Sequence, residues 1–170
     1  MHNDPRGRPT GSSDRHRTDR VVVSLMDRDF FPPVYVQALT GTSQLPRLAH
    51  EDDVGYDLFC AEDITLQPGD RYDVSMGIAI AMPPIMYGRI TGRSSSVRKG
   101  LLVHEGIIDP GYRGPLFAYT TNIGNIAIHI HQGDRIAQLI FAAALRPGIQ
   151  ESATLPLSSR GIAGLGSTGS

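Results

Sequence analysis

The chain has 170 residues, 19% of them charged, with a formal net charge of -1. That is one ordinary domain with room for its own core, and its balanced charge excludes the basic field that sequence-independent nucleic-acid binding needs. The single cysteine, Cys60, excludes an internal disulfide and a Cys-rich zinc site and fits a reducing compartment, so a cytoplasmic location is expected. No apolar run approaches the roughly 18 residues of a membrane span, and the N-terminus lacks the apolar core of a signal peptide. A soluble, unexported protein is expected.

Residues 1–20 are Arg, Asp, His, Pro, Gly and Ser with almost nothing apolar, which cannot offset the entropy of ordering and predicts a disordered tail. The β-branched run Val21-Val22-Val23-Ser24-Leu25 predicts a first strand, and Val34-Tyr35-Val36 a second. Further strands are expected over Tyr56–Ala61, Arg71–Ser75, Gly77–Ala81, Met86–Thr91, Leu116–Thr121, Ile126–Ile130 and Arg135–Ala142, punctuated by Pro, Gly, Asn and Asp turns. One short helix fits within Ser94–Lys99, capped by its serines and stopped by Gly100. Without βαβ alternation, Rossmann and P-loop architectures are out, and the spacing predicts an all-β sandwich or barrel. The domain is expected over residues 21–150, followed by a flexible arm over 151–170.

Five stretches carry candidate chemistry. Val54-Gly55-Tyr56-Asp57-Leu58 places an Asp inside a strand, and it equally reads as the end of an acidic loop. Gly92-Arg93-Ser94-Ser95-Ser96 gathers a guanidinium and three hydroxyls, a means of holding phosphate or simply a capped surface helix. Gly106-Ile107-Ile108-Asp109-Pro110-Gly111-Tyr112-Arg113-Gly114 reads as a β-hairpin with a carboxylate near its tip. Gly133-Asp134-Arg135-Ile136-Ala137-Gln138 reads as turn then strand. Arg160-Gly161-Ile162-Ala163-Gly164-Leu165-Gly166-Ser167-Thr168-Gly169 could wrap a polyphosphate with backbone amides, hydroxyls and a guanidinium, or be a Gly/Ser-rich end. His129 and His131 alternate on a strand, with His104 elsewhere; a polar sheet face or subunit contact is expected of them rather than a metal site. Met76, Met82 and Met86 read as core.

Taken in this order, the five stretches resemble the five motifs of the trimeric deoxyuridine triphosphate nucleotidohydrolases, the dUTPases, over roughly residues 21–170. The resemblance implies a jelly-roll-like β subunit, a homotrimer with active sites between subunits, and a C-terminal arm closing over a site. It implies hydrolysis of dUTP to dUMP and pyrophosphate, limiting uracil in DNA and supplying dUMP for thymidylate synthesis, with neither nucleic acid nor membrane as partner. Asp109 would be the general base activating water for attack on the α-phosphorus. The backbone from Val103 through Gly106, Ile107 and Ile108 to Asp109 would read the uracil edge, and Tyr112 would pack under the deoxyribose. Arg93, Ser94, Ser95 and Gln138 would hold phosphates, and Arg160, Gly164, Leu165, Gly166, Ser167 and Thr168 would form the closing arm. Asp57 would help place Mg²⁺ through water.

The resemblance has two departures: Leu165 stands where the family commonly carries an aromatic that stacks on uracil, and Val54 where a small residue is usual. A sibling family, the dCTP deaminases, shares the fold and an Ile-Asp-Pro-Gly turn but carries a catalytic Glu where this chain has Tyr119. A third reading is a catalytically idle nucleotide-binding protein on the same fold; intact Asp109, Arg93, Gln138 and Arg160 weigh against it.

Overall fold

A computed structural model describes residues 31–159 and 161; the expected strand over Val21–Leu25 and nearly all of the fifth stretch lie outside those residues. Ten strands and one helix follow in chain order: β1 (Tyr35–Ala38), β2 (Gly55–Phe59), β3 (Ile64–Leu66), β4 (Arg71–Ala81), β5 (Met86–Gly92), α1 (Ser94–Arg98), β6 (Leu101–Val103), β7 (Gly106–Ile108), β8 (Pro115–Asn122), β9 (Ile128–Ile130) and β10 (Arg135–Ala143). They form two four-stranded sheets, ordered β1-β4-β8-β6 and β2-β10-β5-β7, and a small β3-β9 pair. All the strand pairs are antiparallel, which gives a jelly-roll-like all-β fold.

Both large sheets turn one face inward. Along β8, Leu116, Ala118, Thr120 and Asn122 are buried while Pro115 and Tyr119 are exposed, the period-2 pattern of a strand wet on one side. Leu58, Val74, Met76, Ile78, Ile90, Leu116, Ile130 and Leu139 close into one hydrophobic core, which Met82 joins and Met86 packs against. Cys60 lies in that core, and burial raises its thiol pKa above the ordinary value.

Sequence spacing divides residues 71–81 into two strands, but they form one. At Gly77 the backbone takes φ +65°, and a side chain there would strike Ser43 and Ala61. This glycine sits in an irregularity of the strand: the ladder with β8 breaks after Ser75 and resumes with Ala79 opposite Pro115, while β1 pairs along the other edge from Ile78 onward.

Asn122 ties down the end of β8. Fully buried, it donates from Nδ2 to the Leu66 and Ile126 carbonyls at 2.9 and 2.8 Å and accepts from the Gly124 amide at 2.9 Å. Gly124 in turn packs on Gly100, whose φ of +80° ends α1. The helix is therefore docked at its C-terminal end.

Candidate active site

Two constellations emerge, at opposite ends of β5. The first is where the expected hairpin should stand. β6 runs against β8, and the His104 amide donates to the Tyr119 carbonyl at 2.8 Å beyond the last paired residues. The chain then crosses to the other sheet, and β7 pairs with β5, placing Gly106 opposite Ile90 and Ile108 opposite Gly88. β7 and β8 share no ladder, so the segment is a fork and not a hairpin. Sequence reasoning missed this because the turn residues are those of a hairpin while strand pairing is settled by the β5 edge.

The fork encloses a cleft of about 200 Å³ lined by Gly106, Ile107, Ile108, Asp109, Tyr112 and Tyr119, among others. The edge of β7 away from β5 offers its backbone groups there, since no strand among the described residues pairs with it. Val103 is buried in β6 opposite Thr120, outside the cleft lining.

Asp109 opens the turn at the end of β7, where its carbonyl accepts from the Tyr112 amide at 3.0 Å. Arg113 stiffens this turn by donating from Nη1 to the Pro110 and Tyr112 carbonyls, each at 2.7 Å. Tyr112 lies back over Gly114, where any side chain would collide with its ring, and donates to the Pro115 carbonyl at 3.1 Å. The Asp109 side chain is exposed, and among the described residues it has no ion-pair partner.

The second constellation centres on Asp57 in β2, a residue 5% exposed. Arg93 Nε reaches its Oδ1 at 2.9 Å and Arg135 Nη1 its Oδ2 at 3.1 Å. Two cations on one buried anion leave a net positive charge, and both guanidiniums keep N–H groups for another acceptor. Arg47 brackets Asp57 through the backbone, accepting its amide at 2.7 Å.

A register shift on β10 explains how these groups meet. Arg135 faces Phe59 and Ala137 faces Leu58, so Ile136 is an extra residue between them. In a regular strand Arg135 and Gln138 point to opposite faces. With the bulge, Gln138 lies opposite Asp57 and Arg135 opposite Phe59, and both join one face. Thr91, opposite Gln138, and Arg93, two residues further, belong to that face also. Gly55 leaves room here for the Gln138 amide, which a Cβ would have to displace. Ser94 and Ser95 are exposed beside Arg93.

Arg135 and Arg47 are the residues sequence reasoning did not single out. Arg135 was visible inside the fourth stretch, but its pairing with Asp57 needs the bulge, which leaves no local signal. Arg160, Gly164, Leu165, Gly166, Ser167 and Thr168 lie outside the described residues. His129 Nδ1 pairs with the Thr65 hydroxyl and His131 Nδ1 stands 3.6 Å from Asp63; no group of three or more potential metal ligands forms among the described residues.

A narrow cleft edged by unpaired backbone and a cationic cluster are equipment for a flat polar ring and for phosphates, the two halves of a nucleotide. A dUTPase family model matches residues 41–169. The deoxyuridine 5'-triphosphate nucleotidohydrolase of vaccinia virus (strain Copenhagen) is 38% identical over 137 residues, covering 81% of this chain and 93% of the viral one. The monkeypox virus enzyme of the same name is 37% identical over 149 residues, covering 88% and 99%. Among solved structures, a mutant of the Staphylococcus bacteriophage 80alpha dUTPase with dUpNHpp superposes at a TM-score of 0.78 with 26% identity, covering 81% of this chain and 99% of that one. The chain belongs to the dUTPase family.

Proposed function

We propose that the protein hydrolyses dUTP to dUMP and pyrophosphate with Asp109 as general base, at sites assembled between copies of the chain. The observation that carries this reading is the separation of fork and cluster along β5. Asp109 follows Ile108 and so stands level with Tyr87, six residues before Arg93, about 20 Å at roughly 3.3 Å per residue. That is farther than the few bonds between the phosphates of one triphosphate. That separation favours a base on Asp109 and a phosphate clamp on Arg93 contributed by different chains, in keeping with the homotrimer that family membership implies.

In such a site the free β7 edge presents alternating N–H and C=O groups to the Watson–Crick edge of uracil. Cytosine is rejected because its amino group meets a donor and leaves buried groups unpaired. Tyr112, fixed over Gly114, packs under the deoxyribose and leaves no room for a 2′-hydroxyl. Asp109 takes a proton from a water in line with the α-phosphorus, and with no ion-pair partner among the described residues its lone pairs stay available for that role. Arg93, Arg135, Ser94, Ser95 and Gln138 hold the phosphates, where fixed cations and dipoles stabilise the charge that grows on the leaving pyrophosphate. No covalent nucleophile is needed. The arm of residues 160–168 completes the closure, with Leu165 covering the base by apolar contact rather than by stacking.

The described residues build no protein cage for a metal, but they fit an ion carried on the substrate. Each Asp57 oxygen spends one lone pair on an arginine and keeps another to accept from an ion-bound water. Asp57 would accept from waters of a Mg²⁺ bound together with the triphosphate, and such an ion would supply neutralisation of phosphate charge. The physiological roles that follow are removal of dUTP before it enters DNA and supply of dUMP for thymidylate synthesis.

Among the described residues Asp109 is the one carboxylate lining the fork, and Tyr119, which also lines it, stands where the resemblance places the deaminase glutamate. The test is to incubate the protein with dUTP, dCTP and dTTP and identify the products. Pyrophosphate and dUMP from dUTP alone are expected; ammonia from dCTP, or no turnover, contradicts the reading.

A further inference from the structure

The serines that open α1 were expected to cap it, but residue 93 occupies the N-cap position and no side chain makes a cap hydrogen bond. Ser94 and Ser95 face solvent. Ser96 is 5% exposed, and its hydroxyl donates to the Ile136 carbonyl at 2.9 Å. Ile136 is the bulge residue of β10, in register with neither β2 nor β5. Its carbonyl thus receives from α1 a hydrogen bond that the ladders do not provide. The adjacent carbonyl, of Arg135, accepts from Arg93 Nη1 at 3.2 Å.

We infer that Ser96 is a positioning residue that latches α1 to the β10 bulge and so fixes the spacing of the two halves of the phosphate clamp. On one side of the latch stand Arg93, Ser94 and Ser95; on the other stand Arg135 and Gln138. The bulge brings Arg135 and Gln138 to one face, and the Ser96 hydroxyl satisfies the carbonyl that the bulge exposes. One side chain therefore couples the irregular strand to the helix. Loss of the hydroxyl leaves a buried acceptor unsatisfied and lets the clamp widen, which weakens phosphate binding without touching the fork. The inference rests on the dUTP reading, in which the two halves grip one polyphosphate.

The test uses Ser96→Cys, which nearly preserves volume while replacing a strong donor with a weak one, and Ser96→Thr, which keeps the hydroxyl. Inorganic pyrophosphate and deoxyuridine are titrated calorimetrically into the full-length protein, the first probing the clamp and the second the fork. In Ser96→Cys the pyrophosphate Kd and the KM for dUTP should rise roughly tenfold, about what one lost hydrogen bond represents. The deoxyuridine Kd should stay at the wild-type value, and Ser96→Thr should restore pyrophosphate affinity. Equal pyrophosphate affinity in Ser96→Cys and wild type, a parallel loss of deoxyuridine affinity, or no pyrophosphate binding by the wild type would overturn the latch. Wild-type turnover of dUTP is measured separately, so failure of the reading itself is distinguishable from failure of the latch.

Discussion

Asp57 lies within β2 and Asp109 just past the end of β7, two strands of the same sheet, and the fold treats the two acids in opposite ways. Asp57 is buried between two arginines, with each oxygen accepting from one of them, whereas Asp109 is exposed on a stiff turn and forms no ion pair among the described residues. A carboxylate clamped between guanidiniums directs its lone pairs at them and organises charge. A carboxylate presented on a rigid turn can approach a water and accept its proton. The two acids differ in their pairing, and the roles proposed for them follow that difference.

The largest expected effect breaks the catalytic half of this contrast. Asp109→Asn should lower kcat by about 10²–10⁴-fold, the range of a lost general base, while Tm and affinity for a non-hydrolysable dUTP analogue stay near wild type. Rapid-quench turnover and calorimetry check both. Asp57→Asn should act differently, because it removes the counter-charge of Arg93 and Arg135. Stability should fall by about 1–3 kcal/mol, seen as a lower denaturation midpoint, and KM for dUTP should rise more than kcat falls. A pure kcat effect there would erase the distinction between the two acids. The smallest expected effect is that of Gly55→Ala, whose methyl must displace the flexible end of Gln138. A several-fold rise in KM with kcat nearly unchanged is expected in steady-state kinetics.

Much of this was legible in the sequence because it is local. The strands β2, β5, β8 and β10, the short helix ending at Gly100 and the acid-bearing turn at Asp109 all follow from runs of five to ten residues. What stayed hidden depends on pairing between distant strands. β7 leaves its apparent hairpin partner because β5 offers a better edge, and nothing in residues 106–114 announces that. The Ile136 bulge reverses the facing of Gln138, and the serines at the head of α1 look like caps while one of them turns inward to that bulge. Gly77 was read as a break between strands, yet its positive φ keeps one strand continuous across two partners.

The central claim is that fork and clamp act on one substrate from different chains, and subunit complementation tests it most directly. Asp109→Asn and Arg93→Ala chains, each inactive when expressed alone, are co-expressed in equal amounts and the mixed assemblies purified. If sites form between chains, those pairing an intact fork with an intact clamp arise in about a quarter of random combinations, and activity should return to about that fraction of wild type. Mixed assemblies no more active than either parent would place both halves of the site on one chain and contradict the account.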